Sequence, residues 1–130
     1  MIKKGTLIII SGPSGVGKKT VIDQIISNKK VHFFLSISMT SRKKRMNEKE
    51  GIDYFFVTEE KFKTNIQKNN FLEWAEFAGN YYGTPTSTIF DKIEKGDNVV
   101  LEIEVQGALQ VMEKVKNIKY ISAAMIVAMT

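Results

Sequence analysis

The fold of this chain is decided by the stretch Leu7-Ile8-Ile9-Ile10-Ser11-Gly12-Pro13-Ser14-Gly15-Val16-Gly17-Lys18-Lys19-Thr20. Its apolar start is a short β-branched run, which predicts a buried parallel strand over residues 6–10. Apolar residues then recur on one helical face over residues 18–27, which predicts a helix. The loop between them fits the phosphate-loop pattern G-x-x-x-x-G-K-[ST], except that Lys19 stands at the hydroxyl position and Thr20 follows one residue late.

The residue types of this loop suit the binding of phosphate. Glycines allow the backbone to curl so that successive N–H groups converge on phosphate oxygens, and the helix N-terminus adds partial positive charge. Lys18 is placed to reach the β- and γ-phosphates. The alternative is a glycine-rich turn without a ligand. A hydroxyl at position 19 would contact Mg²⁺, which an ammonium cannot do; either Thr20 takes that role, or water and the nucleotide hold the metal alone.

Composition limits the remaining classes. The chain has 130 residues, no Cys and one His, which suits one domain and excludes disulfide frameworks, Cys-ligated metals and thiol nucleophiles. We expect a cytoplasmic protein without a membrane segment, since no apolar run approaches the ~20 residues that a bilayer helix needs. The net charge of +5 favours anionic partners. Because its lysines are scattered, nucleotides are expected rather than nucleic acid, and Arg42 and Arg45, the only two arginines, lie three residues apart.

Strands and helices are expected to alternate along the chain. The further predicted strands are residues 33–37, 54–57, 71–77, 80–84, 99–103 and 120–127. The further predicted helices are one capped by Thr58 that buries Phe62 and Ile66, one from 85–86 to near Gly96, and one over 106–116. Residues 40–50 are polar and are expected to be loop. The pattern predicts an α/β fold in which residues 36–84 form a strand-rich lobe inserted in a parallel-sheet core.

Six segments, taken in order and spacing, resemble those of guanylate kinases, and the similarity runs from residue 4 to about residue 115. They are residues 11–20, 36–45, 51–57, 71–76, 79–84 and 101–108. The resemblance implies a P-loop nucleoside monophosphate kinase-like core with a GMP-binding lobe within 36–84. It also implies transfer of the ATP γ-phosphoryl group to GMP, with Mg²⁺ entering with ATP.

The resemblance implies roles for individual residues. It implies ATP binding by Gly12, Pro13, Ser14, Gly15, Val16, Gly17, Lys18, Lys19 and Thr20, with Thr20 as the metal ligand. It implies GMP-phosphate binding by Arg42, Arg45, Tyr54 and Tyr82, and guanine binding by Ser38, Glu73, Thr84 and Glu104. Lys18, Arg42 and Arg45 are the expected catalytic residues. From its neighbours alone, Glu73 would be interpreted as an exposed strand residue. Glu102 and Glu104 are expected to lie on one strand and to point the same way.

The sequence departs from the family in several places. Lys19 replaces a hydroxyl, Glu102 and Glu104 stand where Asp is usual, and Lys43-Lys44 replaces a pairing with Pro. Relative to the family, residues 1–130 are expected to form a guanylate kinase-like domain that lacks the arginine-bearing lid and the C-terminal segment. We therefore expect measurable GMP binding with very weak or undetectable phosphotransfer by these 130 residues. The alternative is an inactive remnant that binds GMP or serves as an interaction module; the oligomeric state is not predicted.

Overall fold

The computed structural model describes residues 5–11, 18–27, 32–103, 105–114 and 118–122. The strands are β1 (Leu7–Ser11), β2 (Phe33–Leu35), β3 (Met39–Thr40), β4 (Phe55–Phe56), β5 (Phe71–Phe77), β6 (Asn80–Pro85), β7 (Asn98–Glu102) and β8 (Ile118–Ser122). The helices are α1 (Lys18–Ile26), α2 (Glu59–Gln67), α3 (Thr86–Glu94) and α4 (Val105–Lys114). The described chain divides into two units: the second spans Ile37–Thr88, and the first comprises the residues before and after it.

The first unit is built on a parallel sheet with the strand order β2-β7-β1-β8. The apolar run that predicted a buried strand forms β1, where Leu7, Ile9 and Ile10 are almost completely buried. Continuous apolar strands of this kind are typical of parallel sheets that are covered on both faces. On one side, Ile22 of α1 packs in a cluster with Ile10 and Val100. This packing fixes the start of α1 relative to the end of β1.

The second unit is built on a mixed sheet with the strand order β4-β3-β6-β5. Helix α2 covers one face of it, because Phe62 is fully buried and stacks on Phe71 and Tyr81 at ring-centroid distances of 4.5 Å and 5.4 Å. Alternate residues of a strand point to opposite faces, so Tyr82 and Thr84 of β6 lie on the face opposite the one that α2 covers.

A register shift in β5 determines the position of Glu73. Phe71 pairs with Pro85, whereas Glu73 pairs with Thr84, so the pairing moves by one residue between them. A regular strand would place Phe71 and Glu73 on the same face. The irregularity instead leaves Phe71 under α2 and puts Glu73 on the opposite face, beside Thr84.

The predicted fold class is confirmed: the protein has an α/β architecture with a parallel sheet, and a strand-rich segment interrupts it. The Thr58 cap is also confirmed, since its hydroxyl accepts from the Lys61 N–H. The predicted burial of Phe62 is confirmed, but Ile66 is only half-buried. Within the described ranges, no helix combines the length and the apolarity that crossing a bilayer requires.

Several predicted boundaries are wrong. The strand predicted at 54–57 is only the two residues of β4, with Tyr54 in an isolated bridge to Glu50. The loop predicted from residue 40 begins one residue later, because Thr40 pairs with Tyr82 in β3. The strand predicted at 120–127 begins at Ile118, and its part beyond Ser122 lies outside the described residues.

Candidate nucleotide site

Lys18 is the first residue of α1, directly after the predicted phosphate loop. Its Nζ lies 3.5 Å from Oε1 of Glu102, the last residue of β7. The Lys18 side chain is largely buried, whereas that of Glu102 is partly exposed. The carboxyl ends of strands β1 and β7 therefore bring together an ammonium and a carboxylate at the edge where parallel α/β sheets bind their ligands.

The rest of the predicted ATP-binding stretch divides into two parts. Gly12, Pro13, Ser14, Gly15, Val16 and Gly17 lie outside the described residues. Lys19 and Thr20 lie in the first turn of α1, and both are exposed. Exposure leaves the Thr20 hydroxyl accessible to a metal ion or to water. In the part of the chain that the structure describes, no group of three or more His, Cys, Asp or Glu side chains could hold a metal by itself.

Arg42 is held by a carboxylate of its own loop. Its Nη1 and Nη2 donate to the two oxygens of Glu48 at 2.9 Å and 2.8 Å, which is the two-pronged geometry of strong guanidinium–carboxylate pairs. The hydrogen bonds from Arg42, followed by the one from the Arg45 backbone, lower the pKa of Glu48 to about 2. In turn, the hydrogen bonds to Glu48 raise the pKa of Arg42 further above its usual value; burial opposes this and a hydrogen bond to Tyr82 adds to it. Both groups are therefore charged at neutral pH.

Two tyrosines complete a cluster with Arg42. The Tyr54 and Tyr82 rings contact each other edge to face at 6.1 Å, and the Arg42 guanidinium carbon lies 5.4 Å from the Tyr54 centroid. Three of the four residues expected to bind the GMP phosphate are thus brought together. The fourth, Arg45, has an exposed side chain, and its backbone N–H connects it to Glu48.

Glu73 and Thr84 form a buried polar pair. The Thr84 hydroxyl lies 2.5 Å from Oε1 of Glu73, with exposed fractions of 0% for Thr84 and 8% for Glu73. A carboxylate only accepts, so the hydroxyl must donate. The interpretation of Glu73 as an exposed strand residue is therefore wrong, because the register shift in β5 turns it toward Thr84.

The other two residues expected to bind guanine are Ser38 and Glu104, of which the structure describes only Ser38. Ser38 precedes β3 and is half-buried, and its carbonyl accepts from the Phe55 N–H. Glu104 lies outside the described residues. Strand β7 ends at Glu102, one residue before the predicted end, and the expectation that Glu102 and Glu104 point the same way concerns a residue outside the described ranges.

Glu48 is the residue that sequence analysis did not single out. Its two arginine partners stand out in the sequence as an unusual pair, but no helical or strand spacing relates position 42 to position 48. The available signal was a carboxylate within a strongly basic loop. Basic loops usually carry such residues as solvated charges, so the signal was weak.

The comparisons with known proteins agree on one family. Residues 4–126 match the family model described as guanylate kinase. The chain is 56% identical over 124 residues to a guanylate kinase of Malacoplasma penetrans, which covers 95% of this chain. The chain belongs to the guanylate kinase family. A guanylate kinase of Prochlorococcus marinus (strain MED4) is 59% identical over 83% of the chain.

The fold comparison points to the same family. The crystal structure of guanylate kinase from Anaplasma phagocytophilum superposes with a TM-score of 0.72 at 33% identity and covers 92% of this chain. The chain spans 63% and 58% of the two relatives and 60% of the crystallised protein.

Proposed function

We propose that this protein transfers the γ-phosphoryl group of ATP to GMP. The observation that carries the proposal is the buried Glu73–Thr84 pair, which lies in the same unit and on the same sheet face as Tyr82. A buried carboxylate can accept from a base edge, and the Arg42–tyrosine cluster can bind a phosphate. A nucleoside monophosphate presents both groups at opposite ends.

The identity of the base follows from its hydrogen-bonding edge. Guanine offers two neighbouring donors, N1–H and the 2-amino group, and a carboxylate can accept from both. Adenine has an acceptor at N1 and no 2-amino group, so Glu73 would face a lone pair. Leaving buried polar groups unpaired is what gives large discrimination between substrates.

Thr84 acts on the base through Glu73 in this proposal. Its hydroxyl proton is directed at the carboxylate, so it orients Glu73 rather than donating to guanine O6. Ser38 is then the hydroxyl that remains for O6. We also assign Glu104 to the guanine site, as the family resemblance implies.

The phosphate of GMP is assigned to Arg42, Arg45, Tyr54 and Tyr82. Arginine forks and phenol hydroxyls are suitable donors for a dianion. In-line phosphoryl transfer depends on positioning and on charge neutralisation rather than on covalent chemistry. Arg42 and Arg45 would therefore hold the acceptor oxygens in place while the new bond forms.

The donor nucleotide is assigned to residues 12–20. Lys18 would neutralise the transferred phosphoryl group, for which it must exchange its contact with Glu102 for a phosphate oxygen. Mg²⁺ enters with ATP and would shield the β- and γ-phosphate charges. The exposed Thr20 hydroxyl and the partly exposed Glu102 carboxylate are oxygen ligands of the kind that Mg²⁺ prefers, so the residues present fit the metal.

Of three further expectations from the sequence, one is not favoured and two stay predictions. An interaction module is not favoured, because relatives above 50% identity carry the name guanylate kinase. The cytoplasmic location and the division into a core with a GMP-binding lobe stay predictions.

The test is calorimetric titration of the chain with GMP and with AMP, followed by an assay of GMP-dependent ADP formation. We expect GMP to bind and AMP to bind far more weakly. In Glu73→Gln one acceptor oxygen becomes a donor facing the donors of guanine, so GMP affinity should fall while the fold persists. Equal affinities for GMP and AMP would refute the assignment of the guanine site.

A further inference from the structure

Glu48 joins the side chain of one arginine to the backbone of the other. Its Oε1 accepts from the Arg42 Nη1 at 2.9 Å and also from the Arg45 N–H at 2.8 Å, while its Oε2 accepts from the Arg42 Nη2 at 2.8 Å. The Glu48 N–H in turn donates to the Arg45 carbonyl at 3.1 Å. One carboxylate thus closes the loop that carries both arginines.

The Arg42 guanidinium is consequently fixed in orientation. Its Nη1 also donates to the Lys43 carbonyl, and its plane lies over the Tyr54 and Phe56 rings, at 5.4 Å and 6.0 Å. The side chains of Arg42 and Glu48 are only 14% and 15% exposed. A long side chain that is restrained in this way loses less conformational freedom when it binds an anion.

The Glu48 carboxylate also determines which edge of the Arg42 guanidinium can bind a phosphate. Arginine has five N–H donors in a rigid plane, and Glu48 occupies the edge formed by Nη1 and Nη2. A phosphate must therefore approach donors that Glu48 does not hold, or else displace Glu48. These two possibilities predict opposite effects when the carboxylate is removed.

We propose that Glu48 is a positioning residue that presents Arg42 and the Arg45 loop to the acceptor phosphate and stays bound while GMP is bound. This inference rests on the proposed function. Glu48 does not touch the substrate; it acts through Arg42. Its removal therefore weakens the recognition of the phosphate and leaves the recognition of the base intact.

The test compares GMP with guanosine, which has the same base and no phosphate. Glu48→Gln keeps the size of the side chain but turns one oxygen into an amide donor that faces the arginine donors. GMP affinity should fall about tenfold, or about 1.4 kcal/mol, whereas guanosine affinity should not change. Glu60→Gln is the matched control, because it removes the same charge from an exposed position of the same unit, and it should leave both affinities unchanged.

A second measurement does not depend on any ligand. Because the chain has only two arginines, its NMR spectrum should contain two Nε–H signals. The signal of Arg42 should report a restrained guanidinium in the unmodified chain and a mobile one in Glu48→Gln. If Glu48→Gln does not fold, Glu48→Asp keeps the charge, reaches fewer partners and should give an intermediate loss of GMP affinity.

The outcomes separate the inference from the proposed function. Unchanged or tighter GMP binding by Glu48→Gln overturns the positioning role, the tighter result meaning that Glu48 competes with phosphate. An equal loss of GMP and guanosine affinity overturns it as well, because the role is then structural. If the unmodified chain binds neither nucleotide while its Arg42 signal is restrained as described, the proposed function fails and the inference fails with it.

Discussion

Replacing Thr84 by Val tests the buried pair directly. Valine has nearly the shape of threonine, so the change creates no sizeable cavity and removes only the hydroxyl that donates to Glu73 at 2.5 Å. Both residues are buried, with exposed fractions of 0% and 8%. Hydrogen bonds to charged groups contribute about 1.5–3 kcal/mol. We expect the free energy of unfolding of the second unit to fall by about 2 kcal/mol.

The assay is urea denaturation followed by the fluorescence of Trp74, the single tryptophan, which neighbours Glu73 in β5 and reports on this unit. Thr88→Val makes the same chemical change at an exposed position and should cost far less. Thr84→Ser keeps the hydroxyl and should recover part of the loss. Equal unfolding free energies for Thr84→Val and Thr88→Val would contradict the assignment of a stabilising buried bond.

Three further perturbations have defined outcomes. Gly83→Ala should destabilise the second unit by about 1–3 kcal/mol in the same denaturation assay, because the added Cβ would lie 2.8 Å from the Phe71 ring and 3.0 Å from the Phe62 ring. An unchanged denaturation midpoint would mean that the two rings can move apart. Lys19→Ser should tighten Mg²⁺-ATP binding by about 1 kcal/mol, because a hydroxyl replaces an exposed cation. If calorimetry at saturating Mg²⁺ gives an unchanged affinity, Thr20 or water already supplies the metal ligand. The Arg42–Glu48 pair should lose its stabilising effect as the pH falls from about 4.5, the ordinary pKa of Glu48, to about 2, its pKa in the folded protein. The reason is that a carboxyl group whose pKa is lowered by folding stabilises the folded state only while it is ionised. The difference in unfolding free energy between the unmodified chain and Glu48→Gln should therefore shrink on acidification, and a constant difference would argue against the pair.

Features that depend on local sequence could be predicted. The Thr58 cap needs only a hydroxyl followed by a helix, and the buried strand β1 follows from an uninterrupted apolar run. The start of α1 at Lys18 follows from the glycine-rich stretch before it. Each of these depends on neighbours within one or two turns of the chain.

Features that depend on pairing between distant segments could not be predicted from the residues alone. The burial of Glu73 requires a partner strand and a shifted register, and neither is visible in the alternation of residues 71–77. The contact between Arg42 and Glu48 depends on how an irregular loop closes. Strand ends such as that of β7 at Glu102 depend on where the neighbouring strand stops pairing.

Because of the shifted register of β5, two residues that would share a face in a regular strand lie on opposite faces of the sheet. The first residue of β5, Phe71, contributes an aromatic ring to the core beneath α2, and two residues later Glu73 contributes a carboxylate on the other side of the sheet. Deleting Leu72 would make Phe71 and Glu73 direct neighbours on a regular strand, where their side chains would still point to opposite faces. Leu72 is therefore the extra residue that the strand pairing does not need: its deletion would cost the packing of a buried side chain but would leave Phe71 and the carboxylate on the faces that they occupy now.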